Sequence, residues 1–179
     1  MRLEEAEVLA QKVIEVLTPL CDRVEVAGSI RRKKPQVNDI DIVAIPRPKK
    51  GPRVSAFGPL AVYEVGDVWS RLMPEALAKE PLKLIRLQAG PELMRFTSDN
   101  GLQVDVYRAR PETWGIMLLV RTGSKEHNVK LCILAHEKGM MLSAKEGVFK
   151  DGKVIASRTE EEIFAALELD YVEPRDREV

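Results

Sequence analysis

The stretch VAGSIRRKKPQVNDIDIVAIP, Val26–Pro46, decides how the chain is interpreted. Its second half alternates as a β-strand does, and alternate side chains of a strand share a face, so Asp39 and Asp41 point to one side about 6.6 Å apart. Ile40 and Ile42 then face the core. Two carboxylates on one face repel each other, and a divalent cation relieves that repulsion; Mg²⁺ prefers a few carboxylates, water and phosphate oxygens as ligands. The stretch therefore predicts a sheet strand that carries part of a metal site.

The turn before this strand offers groups that suit a phosphate. Gly28 permits a close approach of the backbone, Ser29 offers a hydroxyl and an N–H donor, and Arg32 can fork onto phosphate oxygens. We therefore expect the same turn to hold a triphosphate beside the metal.

A third carboxylate stands in a similar setting further along the chain. Asp105 in LQVDVYR lies between Val104 and Val106, in what the alternation predicts to be another strand. A lone D-x-D is more often found on a surface edge than in a metal site, and a lone Gly-Ser turn means little. The combination of G-S-x-R-R, D-x-D and a third strand aspartate is much more specific, and it predicts three converging carboxylates.

Composition limits the classes of protein and of metal site. The 179 residues are 45% apolar and 31% charged, as in a folded globular protein, and they suffice for one compact unit of two lobes. Cys21 and Cys132 lie far apart, and His127 and His136 cannot build a zinc site between them, so a metal would be held by oxygen. The formal net charge is zero, so a nucleic-acid partner would have to meet a local basic patch.

The beginning of the chain, MRLEEAEVLAQK, is too acidic for a signal or transit peptide. No apolar run approaches the roughly 18 residues that cross a bilayer. We therefore expect an intracellular, cytoplasmic protein without a membrane partner.

Hydrophobic periodicity predicts an α+β chain whose first lobe holds a mixed, mostly antiparallel sheet. Pro74 should kink or split the helix in DVWSRLMPEALAKE, and DNG is a strong hairpin signal. The Pro/Gly-rich segment from Pro46 to Pro59 is predicted to be a connection, with its basic cluster Arg47–Arg53 in a solvated loop. The other predicted elements are a helix over residues 3–17 and strands at DRVEVAG, DIDIVAI, LKLIRLQ, LMRFTS and LQVDVYRA.

From Trp114 the pattern changes, and a second, smaller lobe is predicted. Gly139 should end the helix in SKEHNVKLCILAHEKG, and Thr159 followed by Glu162 is a capping box for a last helix in SRTEEEIFAALELD. Four residues of the first of these helices can share one face: Val129, Cys132, Ile133 and His136.

At the glycine, serine, arginine and aspartate positions above, the chain resembles the nucleotidyltransferase superfamily and, more closely, the DNA polymerase X family. The resemblance starts near Val24, and RTGSKEHNVKLCILAHEKGMMLSAKEGVF looks like the start of the thumb in polymerase-beta-like members. It implies a palm over residues 1–112 and a small α/β thumb over residues 113–179. It also implies two Mg²⁺ ions, for which Mn²⁺ can substitute, held by Asp39, Asp41 and Asp105.

The resemblance assigns further residues to the nucleotide. It places the triphosphate on Gly28, Ser29 and Arg32. His127 lies in the edge predicted to meet the nucleotide, where it either contacts the base or the phosphates or is an exposed loop histidine. The residues that border the incoming nucleotide by this resemblance are Thr122, Gly123, Ser124 and Asn128.

The chain departs from the family pattern in three places. Only about 23 residues precede the palm strand, so the domain plan looks like that of the smallest viral members. We therefore expect no deoxyribose-phosphate lyase activity, and we expect a prokaryotic or viral origin. Val120-Arg121 replaces the aromatic pair expected before Thr-Gly-Ser, which bears on sugar selection. Gln103 replaces the arginine expected two residues before Asp105, which bears on the position of the primer terminus.

These observations predict a small DNA polymerase that adds nucleotides to a primer 3′-OH by two-metal-ion catalysis, in repair-type gap filling. Its partners would be a DNA primer-template or gapped DNA and nucleoside triphosphates, and it would be a monomer. Two alternatives remain open: a nucleotidyltransferase that acts on RNA ends or on a protein, and a binding module without catalysis.

Overall fold

The computed structural model describes residues 1–48, 50–55, 58–63 and 68–178, with the backbone alone described for 50–55 and 58–63. Within these ranges no helix has the length and apolar character that crossing a membrane requires. In chain order the helices and strands are α1 (Leu3–Leu17), β1 (Cys21–Val26), α2 (Gly28–Arg31), β2 (Asp39–Pro46), β3 (Lys50–Ser55), β4 (Gly58–Tyr63), α3 (Met73–Leu77), β5 (Ile85–Ala89), β6 (Leu93–Thr97), β7 (Gln103–Arg108), α4 (Trp114–Thr122), α5 (Lys125–Glu137), β8 (Met141–Ser143), β9 (Gly147–Lys150), β10 (Lys153–Ala156) and α6 (Glu160–Ala166).

A five-stranded sheet forms the centre of the first lobe, in the order β1-β2-β7-β6-β5. Strands β2 and β7 run parallel, and the other neighbouring pairs run antiparallel. The predicted α+β class with a mixed, mostly antiparallel sheet is therefore confirmed. One face of the sheet is covered by α1 and α3, and Ile40, Ile42 and Val104 on that face are fully buried. Because side chains alternate along a strand, the aspartates of β2 and β7 lie on the opposite face.

The second lobe has an apolar core of its own, formed by α4, α5, α6 and a three-stranded sheet in the order β10-β9-β8. Thr159 caps α6 as predicted, because its hydroxyl accepts a hydrogen bond from the Glu162 N–H at 3.1 Å. A third apolar cluster lies where the two lobes meet, so they pack directly on each other. Its buried members are Ala27, Val43, Ile45, Ala109, Trp114, Met117 and Leu118.

Several local predictions for the first lobe can be compared with the structure. The helix around Pro74 is split as predicted, since a π-helical turn over Val68–Leu72 precedes α3. The DNG turn joins β6 to β7, and Gly101 has a φ of +81° there. The connection predicted from Pro46 to Pro59 is corrected: β3 and β4 form an antiparallel hairpin within and beyond it. Most side chains of the basic cluster Arg47–Arg53 lie outside the described part of the chain.

The face predicted for α5 exists, but it is turned away from the core of the second lobe and borders an open cleft. Val129 and Ile133 are 50% and 53% exposed, and Cys132 and His136 are exposed as well. The side of α5 that packs on α4 and α6 is instead formed by a row of other residues, displaced around the helix axis. These are His127, Leu131 and Ala135.

Candidate active site

Two of the three predicted aspartates are direct neighbours in the sheet. Asp41 on β2 pairs with Asp105 on β7, and the same parallel register pairs Asp39 with Gln103. Asp39 and Asp41 line a cleft of about 1160 Å³ that lies between the two lobes. Asp39 and Asp41 thus lie in the cleft, and Asp105 lies beside Asp41 on the neighbouring strand.

Asp41 is the carboxylate whose charge is least compensated. Burial, followed by the negative charges of Asp39 and Asp105, raises the pKa of Asp41 to about 7. Gly28 is packed against it: a Cβ at position 28 would stand 2.0 Å from Asp41 Oδ2, and the φ of Gly28 is +59°. Glycine is therefore required at this turn both for the backbone conformation and for the space that the carboxylate fills.

Asp105 is held by a residue that the sequence analysis missed. Arg95 on β6 pairs with Asp105 across the antiparallel ladder and donates two hydrogen bonds to it, from Nε to Oδ1 and from Nη2 to Oδ2, both at 2.8 Å. Gln103 Nε2 and Tyr107 Oη also donate to Oδ2, each at 3.2 Å. The arginine expected at position 103 is thus supplied by the neighbouring strand. The alternation of LMRFT on a strand next to β7 was the available signal, but only the strand register shows which residue it brings to Asp105.

This orientation of Asp105 explains why the three carboxylates do not form a ready-made metal cage. Within the described ranges, no group of three or more His, Cys, Asp or Glu side chains is arranged to hold a metal ion. Asp39 and Asp41 face the cleft, whereas the carboxylate of Asp105 is directed at Arg95. The assignment of all three aspartates as ligands therefore stays a prediction.

The turn after β1 presents the groups predicted for a triphosphate. Ser29 Oγ is buried and has no hydrogen-bond partner among the described residues. Arg32 donates to the carbonyl of Thr122 and forms an ion pair with Glu178, and Lys34 pairs with the same carboxylate at 2.5 Å. The Glu178 carboxylate is thus paired with two cations of the cleft that suit a phosphate, Arg32 and Lys34.

The predicted nucleotide edge of the second lobe is only partly in the cleft. Thr122, Gly123 and Asn128 line it, and Asn128 Oδ1 is buried without a partner among the described residues. Ser124 lies behind it as the N-cap of α5, where its hydroxyl accepts from the His127 N–H at 3.2 Å and donates to the Arg177 carbonyl at 2.7 Å.

The expectation for His127 needs correction. It lies on α5 and is 5% exposed, so it is neither an exposed loop residue nor part of the cleft lining. Its ring packs on Phe164 with a centroid distance of 5.9 Å, and burial together with the positive charge of Arg177 lowers the pKa of His127 to about 4. The helical position of this residue turns it toward the core of the second lobe.

The pair that replaces the expected aromatic residues has a defined place in the structure. Val120 and Arg121 both line the cleft, and the Arg121 guanidinium lies 4.0 Å from the ring centroid of Tyr107. Because Tyr107 also donates to Asp105, this cation–π contact links the second lobe to the carboxylates of the first.

A buried ion network holds the lobes together beside the cleft, and sequence reasoning did not find it. Arg31 of α2 forms a bidentate pair with Glu160 of α6 at 2.8 and 2.6 Å, and it also donates to Thr122 Oγ1. Arg177, which is fully buried, donates to the same glutamate at 2.7 Å. These contacts fix the turn that carries Ser29 and Arg32 against the second lobe.

Known proteins share parts of this chain. Residues 117–178 match the family model of the DNA polymerase beta thumb. A segment of 77 residues is 34% identical to DNA polymerase IV of Saccharomyces cerevisiae, which amounts to 43% of this chain and 13% of that protein. The chain therefore spans only about an eighth of the length of this relative.

Among solved structures, the crystal structure of Leishmania infantum polymerase beta in a ternary P/T complex superposes with a TM-score of 0.77 at 21% identity. The superposition covers 100% of this chain and 77% of that one. These matches agree with the resemblance drawn from the sequence, although the predicted boundary between residues 112 and 113 stays a prediction. The chain has a family X-like polymerase fold, and its second lobe matches the polymerase beta thumb.

Proposed function

We propose that this protein is a DNA polymerase that adds nucleotides to a primer 3′-OH, and that it fills short gaps in DNA as a monomer. The observation that carries the proposal is the direct pairing of Asp41 with Asp105 beside the Gly28 turn, with Asp41 in the same cleft as Arg32. The match to the polymerase beta thumb and the likeness to a polymerase beta structure solved as a ternary P/T complex support DNA as the partner.

The carboxylates suit Mg²⁺, with Mn²⁺ as a substitute. These ions prefer oxygen donors. Burial and then the negative charges of Asp39 and Asp105 raise the pKa of Asp41, and a bound cation would compensate these charges. Asp39 and Asp41 would hold the ions, and Asp105 would join them once it turns from Arg95. When bound, the ions supply Lewis-acid polarisation of the triphosphate and of the primer hydroxyl.

The residues of the chain do the rest of the work by positioning. Asp105 is the side chain that would accept the proton of the primer hydroxyl, because it is the carboxylate on the strand beside Asp41. Ser29 Oγ and Arg32 would bind the triphosphate oxygens, with Arg32 exchanging Glu178 for phosphate. Thr122 and Asn128 would border the nucleotide from the second lobe. No covalent intermediate with the protein is needed.

Primer extension tests this proposal directly. Wild-type protein should extend a labelled primer on gapped DNA with deoxynucleotides and Mg²⁺ or Mn²⁺, and Asp41→Ala or Asp105→Ala should abolish extension. Asp170→Ala, which changes an exposed aspartate, is the matched control and should leave extension unchanged. Asp41→Ala should also keep or raise the melting temperature, because it removes a carboxylate in a repulsive cluster.

The same assay separates the alternatives. Transfer to RNA ends or to a protein, with no extension of DNA, would replace the polymerase proposal by a different nucleotidyltransferase. Tight DNA binding without any transfer would favour a binding module. Substantial extension by Asp105→Ala would contradict the three-carboxylate site.

A further inference from the structure

Arg95 occupies a position at Asp105 that a cation would otherwise take. The aspartate is 2% exposed, and the guanidinium that pairs with it lies on the adjacent strand with 35% of its side-chain surface exposed. A planar guanidinium that faces a carboxylate with two N–H donors is the strongest form of this ion pair. The pair is therefore the main compensation of the negative charge on Asp105 in this structure.

The hydrogen bonds of Asp105 leave little room for another ligand. Its two oxygens accept four hydrogen bonds, two from Arg95, one from Gln103 and one from Tyr107. Three of these bonds fall on Oδ2, which has only two lone pairs, and one falls on Oδ1, so a cation that binds at Oδ2 requires that one of these donors withdraws. Arg95 has the longest of the three side chains and reaches solvent, so its guanidinium can move away into water, and it is the donor whose positive charge a cation at Asp105 would repel.

We propose that Arg95 is the positioning residue of Asp105 and that a divalent cation displaces its guanidinium from this carboxylate, so that the arginine sets the affinity of the site for the cation. This inference rests on the proposed function. It adds that the charge at Asp105 is exchanged between two partners. Arg95 then keeps the side chain in a single orientation until the cation arrives, and it remains close enough to limit its movement afterwards.

The two roles of Arg95 predict effects of opposite sign. Removal of the guanidinium eliminates a competitor and a repulsive charge, so the cation should bind more tightly. Removal also frees Asp105 to adopt other orientations, so the rate of transfer should fall. A residue that only stabilised the fold would lower both properties together.

The test uses Arg95→Gln, Arg95→Lys and the control Arg86→Gln. Arg86 is exposed on β5, next to β6, so its removal reports the effect of one lost positive charge without the contact to Asp105. Binding of Mn²⁺ to the complete chain, without nucleotide or DNA, is measured from the electron paramagnetic resonance signal of the free ion. Circular dichroism and the melting temperature establish that each variant folds; Arg95→Lys, which keeps the charge, serves if Arg95→Gln does not.

Arg95→Gln should bind Mn²⁺ about three- to tenfold more tightly than wild type, and Arg95→Lys should lie between them. The kcat of Arg95→Gln for primer extension should fall at least about tenfold, while its KM for the nucleotide should change by less than about threefold. Arg86→Gln should match wild type in kcat. Unchanged or weaker Mn²⁺ binding by Arg95→Gln, with wild-type binding that Asp41→Ala removes, would overturn this inference and leave the proposed function standing. Failure of wild type both to bind Mn²⁺ and to extend a primer would overturn both.

Discussion

Replacement of Gly28 by alanine should show whether the position of the Asp41 carboxylate depends on a glycine in the adjacent turn. In the structure a Cβ at this position would stand 2.0 Å from Asp41 Oδ2 and 2.9 Å from its Cγ. Contacts of this kind essentially never fall below 3.0 Å, so the carboxylate would have to move by about 1 Å. Asp41 cannot move far toward the core, because Ile40 and Ile42 fill that side of β2.

Two costs add at this position. The φ of +59° lies in the left-handed region, where a residue with a Cβ loses roughly 1–2 kcal/mol. The displaced carboxylate adds a steric and electrostatic cost, so the free energy of unfolding of Gly28→Ala should fall by about 2–4 kcal/mol in total. Because a displacement of about 1 Å in a catalytic group costs about 100-fold in rate, kcat for primer extension should fall by that factor or more.

Gly101→Ala is the matched control for this substitution. Gly101 has a φ of +81° in the hairpin between β6 and β7, and a Cβ there would have no atom within 4 Å. It should lose only the backbone contribution of about 1–2 kcal/mol and keep its activity within about twofold. Urea unfolding and single-turnover extension measure both quantities. The reasoning is refuted if Gly28→Ala keeps the wild-type kcat, or if it loses no more stability than Gly101→Ala.

Three further predictions concern the pH dependence of stability, the anion site and the sugar. The pKa of His127 falls from 6.5 to about 4 on folding, so the unfolded chain binds more protons than the folded chain between these pH values. The free energy of unfolding, measured with urea, should therefore drop by about 2–3 kcal/mol as the pH falls through this window. The drop should be smaller in His127→Phe, and in the control His136→Gln it should equal that of wild type. Glu178→Gln should tighten the binding of a nucleoside triphosphate about threefold, because the carboxylate of Glu178 competes with phosphate for Arg32 and Lys34, whereas Glu173→Gln should leave binding unchanged. If titration calorimetry gives the same affinity for Glu178→Gln and wild type, this competition is excluded. Wild type should prefer deoxy over ribo substrates by less than about 10³ in kcat/KM, and Val120→Tyr should raise this ratio; a wild-type ratio near 10⁵ would assign the exclusion to the backbone.

The sequence predicted the strands of the first lobe because their patterns are local. DIDIVAI and LQVDVYRA alternate around their aspartates, which predicts that Asp39 and Asp41 share one face of their strand and that Asp105 faces away from Val104 and Val106. The hairpin at DNG is also local, since Gly101, with a φ of +81°, supplies the backbone conformation of the turn between β6 and β7. These features needed no knowledge of which strand lies next to which.

The contacts of the site depended on pairing between distant segments and were missed for that reason. Arg95 reaches Asp105 because of a register that single-strand patterns do not specify, and Glu160 meets Arg31 across 129 positions of sequence. The exposed face of α5 illustrates a different limit of sequence patterns. Apolar residues at helical spacing indicate a face, but Val129 and Ile133 show that this face need not be the buried one when a second row, with Leu131, serves the core.

Internal ion pairs at the cleft imply that substrate binding is an exchange of partners. Arg95 compensates Asp105, and Glu178 compensates Arg32, so the carboxylate of Asp105 and the guanidinium of Arg32 already have partners within the chain. The Arg32–Glu178 pair is partly exposed and contributes little in water, whereas Asp105 is buried, so Arg95 can leave it only when a cation takes its place. The fold should therefore not depend on the metal for stability. Asp41 differs from both, because burial and then the negative charges of Asp39 and Asp105 raise its pKa, and the gain on cation binding should be concentrated at this residue.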